Sequence, residues 1–392
     1  MTSQDTNSQS TGLQKTGLQE TGPQGAGLQK PINVDEYQAA ARERMSKMAY
    51  DYYASGAWDE ITLRNNRDAF ARTSLTYRVL RDISSPDLST TVLGRKISMP
   101  LMIAPTAFHR LAHDEGELAT SRAAAAAGIP YCLSTLATRS IEDVAEVCDG
   151  PRWFQLYVYK DRGATAALVQ RAVDAGYEAL ALTVDAQVWA HREADVRNRF
   201  HLPDGMKAEN LSAAGKGALP QMPEGSGLGA YVQSLFDPSL SWKDLEWLTN
   251  LTDLPVVIKG VVHPDDAVAA AEHGAAGVVV SNHGGRQVDT APATFEVLPR
   301  IVDAVDGKIE VLMDGGIRRG SDIVKAVACG ARAVGIGRAA LWGLAVDGQA
   351  GVEHVIHILR DEFQKVMTLC GCRTVDEISR DLIAPGGATL FD

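Results

Sequence analysis

A chain of 392 residues, 45% hydrophobic and 22% charged, has the composition of a soluble globular protein with material for a large core. A net charge of −11 argues against nucleic-acid binding, and no apolar run approaches the ~18 residues of a membrane span, so neither nucleic acid nor membrane is expected as a partner. The five cysteines (Cys132, Cys148, Cys329, Cys370, Cys372) match no zinc or CxxC spacing and the N-terminus is not built like a secretion signal, so the expectation is a cytoplasmic protein with free thiols and no metal.

In chain order, residues 1–30 come first and stand apart. From Thr11 they repeat TGLQK, TGLQE, TGPQG and AGLQK, a Gly- and Gln-rich stretch without aromatics that predicts a disordered tail, with the folded domain spanning 31–392. Residues 34–54 read as one helix, stopped by Gly56. Eight short apolar runs of strand length follow, at 100–104, 129–133, 153–158, 179–184, 255–259, 277–281, 309–313 and 333–337. Ala-rich helical patterns lie between most of them, as at 116–127, 162–175, 264–273 and 319–329. Continuous apolar strands alternating with helices predict a parallel sheet, and eight units predict a single (β/α)8 TIM barrel behind an N-terminal helical extension. An open doubly wound sheet would need a Gly-rich fingerprint after its first strand, and none is there. The rhythm breaks once, between Val184 and Pro255, where a stretch rich in Gly, Pro, Ser and Ala predicts a long lid-like loop after the fourth barrel strand.

The C-terminal ends of barrel strands carry the chemistry of such folds, and here they are polar almost throughout. The runs lead into Pro105-Thr106-Ala107, Ser134 to Leu136, Gln155 and Tyr157, Thr183 and Asp185 with Arg192 beyond, Lys259, Ser281 to Gln287, Asp314 to Arg318, and Gly337-Arg338. The last two clusters are Gly-rich turns that expose backbone N–H groups before a helix, with Arg318 and Arg338 beside them, which predicts a phosphate cradle. His283 and Arg286 lie three residues apart in a Gly-flanked loop, suited to a general base beside an anion clamp. Arg192 offers a second clamp, and Asp185 can orient His283. Tyr52 and Tyr157 are phenols suited to a carboxylate or hydroxyl, and Phe108, Leu136 and Trp189 are expected to line a pocket of moderate size. Lys259 ends an apolar strand, so it needs a buried anionic or polar partner.

With these residues in view, the chain resembles the FMN-dependent L-2-hydroxy-acid oxidases and dehydrogenases from about Val34 to Asp381. The likeness is carried by YDYYASGA at 50–57, APTA at 104–107, FQLYVYKDR at 154–162, TVDA at 183–186, READVRNRF at 192–200, IKGV at 258–261, SNHGGRQ at 281–287, DGGIRRG at 314–320 and GIGR at 335–338. The resemblance implies His283 as base paired with Asp185, Arg192 and Arg286 on the substrate carboxylate with Tyr52, and Tyr157 near the substrate hydroxyl. It implies that Pro105 to Ala107, Ser134, Gln155, Thr183, Lys259 and Ser281 hold the isoalloxazine and ribityl chain of FMN, and that Asp314, Gly316, Arg318, Gly337 and Arg338 take the ribityl and phosphate end. The implied reaction turns a small L-2-hydroxy acid into the 2-oxo acid, with O2 as acceptor and peroxide as product, and the implied assembly is a homotetramer. Leu136 stands where plant glycolate-oxidising members have Trp, which points to a lactate-like or mandelate-like acid. Ala107 resembles the oxidases, whereas Gly285 resembles several dehydrogenases. A dehydrogenase passing electrons to a quinone or cytochrome, or a lactate 2-monooxygenase, is therefore the alternative.

Overall fold

The computed structural model describes residues 30–214, 217–220 and 225–384, so the repeat-bearing tail lies, but for Lys30, outside the described residues. Three helices, Val34–Arg44, Lys47–Ala54 and Ile61–Arg72, precede a hairpin, β1 (Thr90–Val92) and β2 (Arg95–Ile97), and a closed ring of eight parallel strands. The ring comprises β3 (Leu101–Ile103), β4 (Tyr131–Ser134), β5 (Arg152–Leu156), β6 (Ala179–Thr183), β7 (Val256–Val261), β8 (Gly277–Val280), β9 (Glu310–Asp314) and β10 (Val334–Ile336). Neighbours pair in chain order, and β10 closes onto β3. This is a single (β/α)8 barrel.

Alternation along the strands divides the core. Met102, Cys132, Trp153, Ala181, Val257, Val279 and Leu312 fill the barrel interior, while Leu133, Phe154, Leu180, Ile258 and Val280 belong to the larger apolar cluster beneath the helices. The hairpin has a definite place in this scheme. Val92 and Ile97 join the interior cluster, and the Leu93 N–H donates to the Glu310 carboxylate at the start of β9 (3.0 Å to Oε2). It therefore plugs the N-terminal end of the barrel and leaves the opposite end as the open one.

Residues 34–54 form two helices, Val34–Arg44 and Lys47–Ala54, where the sequence predicts one. Ser46 adopts an extended conformation and its Oγ accepts from the Ala49 N–H at 3.3 Å, so a fresh N-cap interrupts the run. The second helix is thereby re-aimed, and its Tyr52 and Tyr53 face the open end of the barrel. The excursion between β6 and β7 contains Glu193–Arg197, Gly227–Leu235 and Trp242–Leu251, of which the last leads into β7. Backbone bonds from Lys160 to Leu235 (3.0 Å) and from Asp237 to Val158 (3.1 Å) hold it to the barrel rim, and one from Gly227 to Phe200 (3.1 Å) ties the excursion to itself. Among the described residues no helix is long and apolar enough to cross a membrane.

Candidate active site

The C-terminal ends of the strands surround a cavity open to solvent, lined by residues from Tyr52 to Leu341. Its walls carry Arg192, Arg286, Arg318, Arg338 and Lys259, against a single lining carboxylate, Asp314. A chain of net charge −11 has gathered cations in one place, and those cations disturb one another. Burial and then Arg286 push Arg192 down to about 9, while burial and then Arg67 lower Arg318 to about 10. Burial, followed by the neighbouring arginines 286, 318 and 192, lowers Arg338 well below the usual guanidinium range. Bound anions would relieve that repulsion.

The His283 Nδ1 lies 2.8 Å from the Asp185 carboxylate. Burial works to raise the Asp185 carboxyl, but His283 and Lys259 outweigh it and keep the group anionic. The carboxylate can only accept, so it holds the imidazole with Nδ1 protonated and Nε2 carrying a free lone pair. Burial lowers the histidine more than Asp185 raises it, and the ring is neutral at pH 7. Two backbone features make the pairing possible. His283, Gly284 and Gly285 all have positive φ (56°, 66° and 73°), which turns the loop back over the barrel mouth. Gly260, at a bulge in β7, lies so close to Asp185 that a Cβ there would stand 2.6 Å from its Cγ.

The two arginines are anchored from behind. Arg192 donates to the Arg286 carbonyl (3.0 Å) and to Gln287 Oε1 (3.2 Å), and its guanidinium lies 3.7 Å over the Trp189 ring. Arg286 donates to the Tyr52 and Ser55 carbonyls and sits 4.9 Å from the Tyr52 ring centre. Gln287 in turn donates to the carbonyls of Asp185 (2.6 Å) and Val188 (3.0 Å). It ties Arg192 to the Asp185–Val188 backbone, and the sequence pattern assigned it no part. Burial holds the Tyr52 and Tyr157 phenols protonated, each stacked on an aromatic ring, Phe200 at 4.2 Å and Phe236 at 4.5 Å.

The remaining wall fits FMN. Gln155, Thr183 and Arg318 line the cavity, and among the described residues their buried Nε2, Oγ1 and Nε have no partner, a costly state that ligand polar atoms would end. The Gln155 amide is oriented for this, since its Oε1 accepts from Ser134 Oγ (3.2 Å) and the Thr135 N–H (3.1 Å). Gly316 (φ 83°) would drive a Cβ to 2.0 Å from the Asn66 carbonyl, so only glycine lets that turn expose its backbone. The helix that begins at Arg338 has no side-chain cap at Gly337, which leaves the N–H groups of Arg338 and Ala339 to a phosphate. Arg318 keeps Nε for such a ligand. Arg338 instead braces the site, donating to the carbonyls of Tyr53 (2.7 Å), Gly284 (3.0 Å) and Ser55 (3.0 Å), with two of its five N–H groups left over.

Lys259, Ser281 and Asp314 form a buried chain. Lys259 Nζ lies 3.1 Å from Asp314 Oδ2 and 3.0 Å from Ser281 Oγ, which donates to Asp314 Oδ1 at 2.6 Å. Lys259 and Asp314 line the cavity, and Ser281 sits behind them with no exposure. Pro105, Thr106, Ala107, Ser134, Leu136 and Trp189 also line it. Phe108, expected in the pocket wall, does not: it is fully buried, packed beside Tyr52 and Phe200 at 6.0 and 6.3 Å, and contributes to the backing of Tyr52. Tyr53, Leu228 and Leu341 line the cavity without having been predicted. The apolar run LGAYVQSL, amphipathic at helical spacing, could have pointed to Leu228. Gly285 has a local explanation as well, because the Leu63 backbone approaches its absent Cβ to 2.6 Å.

Comparison with known proteins agrees with this geometry. The family model for FMN-dependent dehydrogenase matches residues 41–385. The chain is 54% identical over 360 residues to an L-lactate oxidase of Nostoc sp., covering 91% of this chain and 99% of that protein. To glycolate oxidase of Spinacia oleracea it is 52% identical over 352 residues, 90% of this chain and 95% of the other. Among solved structures, mandelate oxidase with (S)-4-hydroxymandelic acid has a TM-score of 0.87 at 40% identity, over 90% of this chain and 98% of that one.

Proposed function

The chain belongs to the FMN-dependent dehydrogenase family, and from that premise we propose that it oxidises a small L-2-hydroxy acid to the 2-oxo acid, using O2 and releasing hydrogen peroxide. FMN is its cofactor. The observation that carries the reading is His283, held at 2.8 Å by Asp185 and lining the same cavity as Arg192 and Arg286.

Each residue then has a task. Arg192 and Arg286 take the substrate carboxylate, an anion that offsets their mutual repulsion, and Tyr52 assists with its phenol. Tyr157 bonds the hydroxyl side. His283 Nε2 removes the proton that the substrate gives up, and Asp185 stabilises the imidazolium formed. Bound FMN would supply a two-electron acceptor for the substrate and a donor to O2. Lys259 supplies positive charge at the buried end of the cavity, held in place by Asp314 and Ser281. Leu136, Trp189 and Leu228 form an apolar wall for a lactate-like or mandelate-like side chain. Gly285 lends no support to the alternative acceptors, since packing against Leu63 accounts for it.

The test is anaerobic reduction of the yellow protein by L-lactate, glycolate and (S)-mandelate, followed by admission of air. Bleaching by one acid, with rapid return of colour and one peroxide per turnover, is the expected result. Slow recolouring would replace the oxidase with a dehydrogenase, and a decarboxylated product would indicate a monooxygenase. No bleaching at all would sink the function. His283→Gln should keep bound FMN and lose about 10²–10⁴-fold in the rate of reduction.

The proposal extends to a cytoplasmic homotetramer. Five cysteines without a disulfide suit a reducing compartment, and the exposed Tyr77, Val79 and Leu80 on the single chain suit self-association. Light scattering should give four times the 42.0 kDa chain mass.

A further inference from the structure

The helix Gly227–Leu235 lies in the excursion between β6 and β7, outside the regular barrel, yet it touches the substrate clamp through one residue. A Cβ on Gly229 would stand 2.9 Å from Trp189 Cδ1, 3.4 Å from Nε1 and 3.5 Å from Cγ. The indole therefore packs on the bare Cα of Gly229, and the Arg192 guanidinium lies 3.7 Å over the same ring. Glycine is a poor helix residue and the φ of Gly229 is not in the left-handed region, so the backbone does not call for it. Space for the indole does. The helix itself is fixed at both ends, by the Gly227 N–H on the Phe200 carbonyl (3.1 Å) and by Phe236 stacked on Tyr157 (4.5 Å). Its Leu228 lines the cavity beside Trp189.

We propose that Gly229 is a positioning and specificity-determining residue: its missing side chain seats Trp189 against Arg192, so this helix sets both the aim of the carboxylate clamp and the depth of the apolar wall. The inference rests on the 2-hydroxy-acid reading above. In Gly229→Ala the added methyl has to push the indole toward Arg192 and the cavity, while alanine favours the helix and keeps the fold.

The experiment compares wild type, Gly229→Ala, Trp189→Leu and the double variant, all as FMN-loaded protein. Steady-state rates with glycolate, L-lactate and (S)-mandelate are combined with titration by oxalate, a small dicarboxylate probe, followed by flavin absorbance. Gly229→Ala should raise KM for L-lactate and the Kd for oxalate about tenfold, raise KM for (S)-mandelate further, and leave kcat within about twofold. In the Trp189→Leu background the same substitution should be silent, because the smaller side chain leaves room for the methyl. Equal effects of Gly229→Ala with and without Trp189, or no effect in either, would overturn the proposal. If wild type oxidises none of the three acids, the functional reading fails on its own, and the oxalate titration still decides whether the contact governs anion binding.

Discussion

In the role proposed for it, His283 can take a proton only while it is neutral, and the residues around it set the range in which that holds. Burial places its pKa below the ordinary value of about 6.5, with Asp185 opposing part of the shift. The protonated ring is the inactive form, so kcat/KM should fall as pH drops through that lowered value and be fully developed at pH 7. The alkaline limb has a different origin. Arg192 is pushed down to about 9, so the clamp loses charge as pH rises through that value, and KM should climb there. A bell-shaped profile of kcat/KM is expected, its acid limb lost in His283→Gln; an intact acid limb in that variant would assign it elsewhere. Lys259 poses a question of stability. Asp314 keeps only Ser281 when the lysine is removed, a buried carboxylate without its cation. Lys259→Met should therefore cost roughly 3–5 kcal/mol and weaken FMN retention, read from the midpoint of thermal unfolding and the flavin absorbance of the purified protein.

Among the elements, the hairpin β1–β2 shows how stability and chemistry are separated along the barrel axis. Ile97 and Val92 complete the interior cluster at the N-terminal end, whereas every residue assigned to the reaction sits at the other end. Ile97→Ala should destabilise by about 2–5 kcal/mol through the cavity it leaves, while kcat/KM stays at the wild-type value at temperatures where the protein is folded. A fall in kcat/KM as large as the fall in stability would mean that the two ends are coupled. The hairpin also shows a limit of pattern reading. Strands of three residues are too short to display a period, and this one was not anticipated, whereas the barrel strands announced themselves as unbroken apolar runs. Likewise, the break at Ser46 depends on a single hydroxyl reaching the Ala49 N–H.

For the whole molecule, the described walls of the site come from residues between Tyr52 and Leu341. Removing residues 1–29 should leave kcat/KM and FMN content within about twofold of the full chain; a larger loss, restored by adding the segment back, would give the repeats a role in the reaction. The charge distribution acts at the same scale. An acidic protein draws its anionic substrate through a local concentration of arginines, so added salt should raise KM more than it changes kcat.

The barrel was legible in the amino-acid pattern alone, because buried parallel strands must be apolar throughout. That His283, Asp185, Arg192, Arg286, Gly316 and Gly337 gather at the strand ends followed from the same rule together with the motifs. Which of them touch depends on packing in three dimensions. It withdrew Phe108 from the pocket, made Arg338 a brace across 285 positions to Tyr53, brought Gln287 behind Arg192, and set Gly229 against Trp189. Periodicity records which face of a segment is buried. It carries no information on the partner that closes over that face, since the partner comes from distant chain and is chosen by how the whole barrel packs.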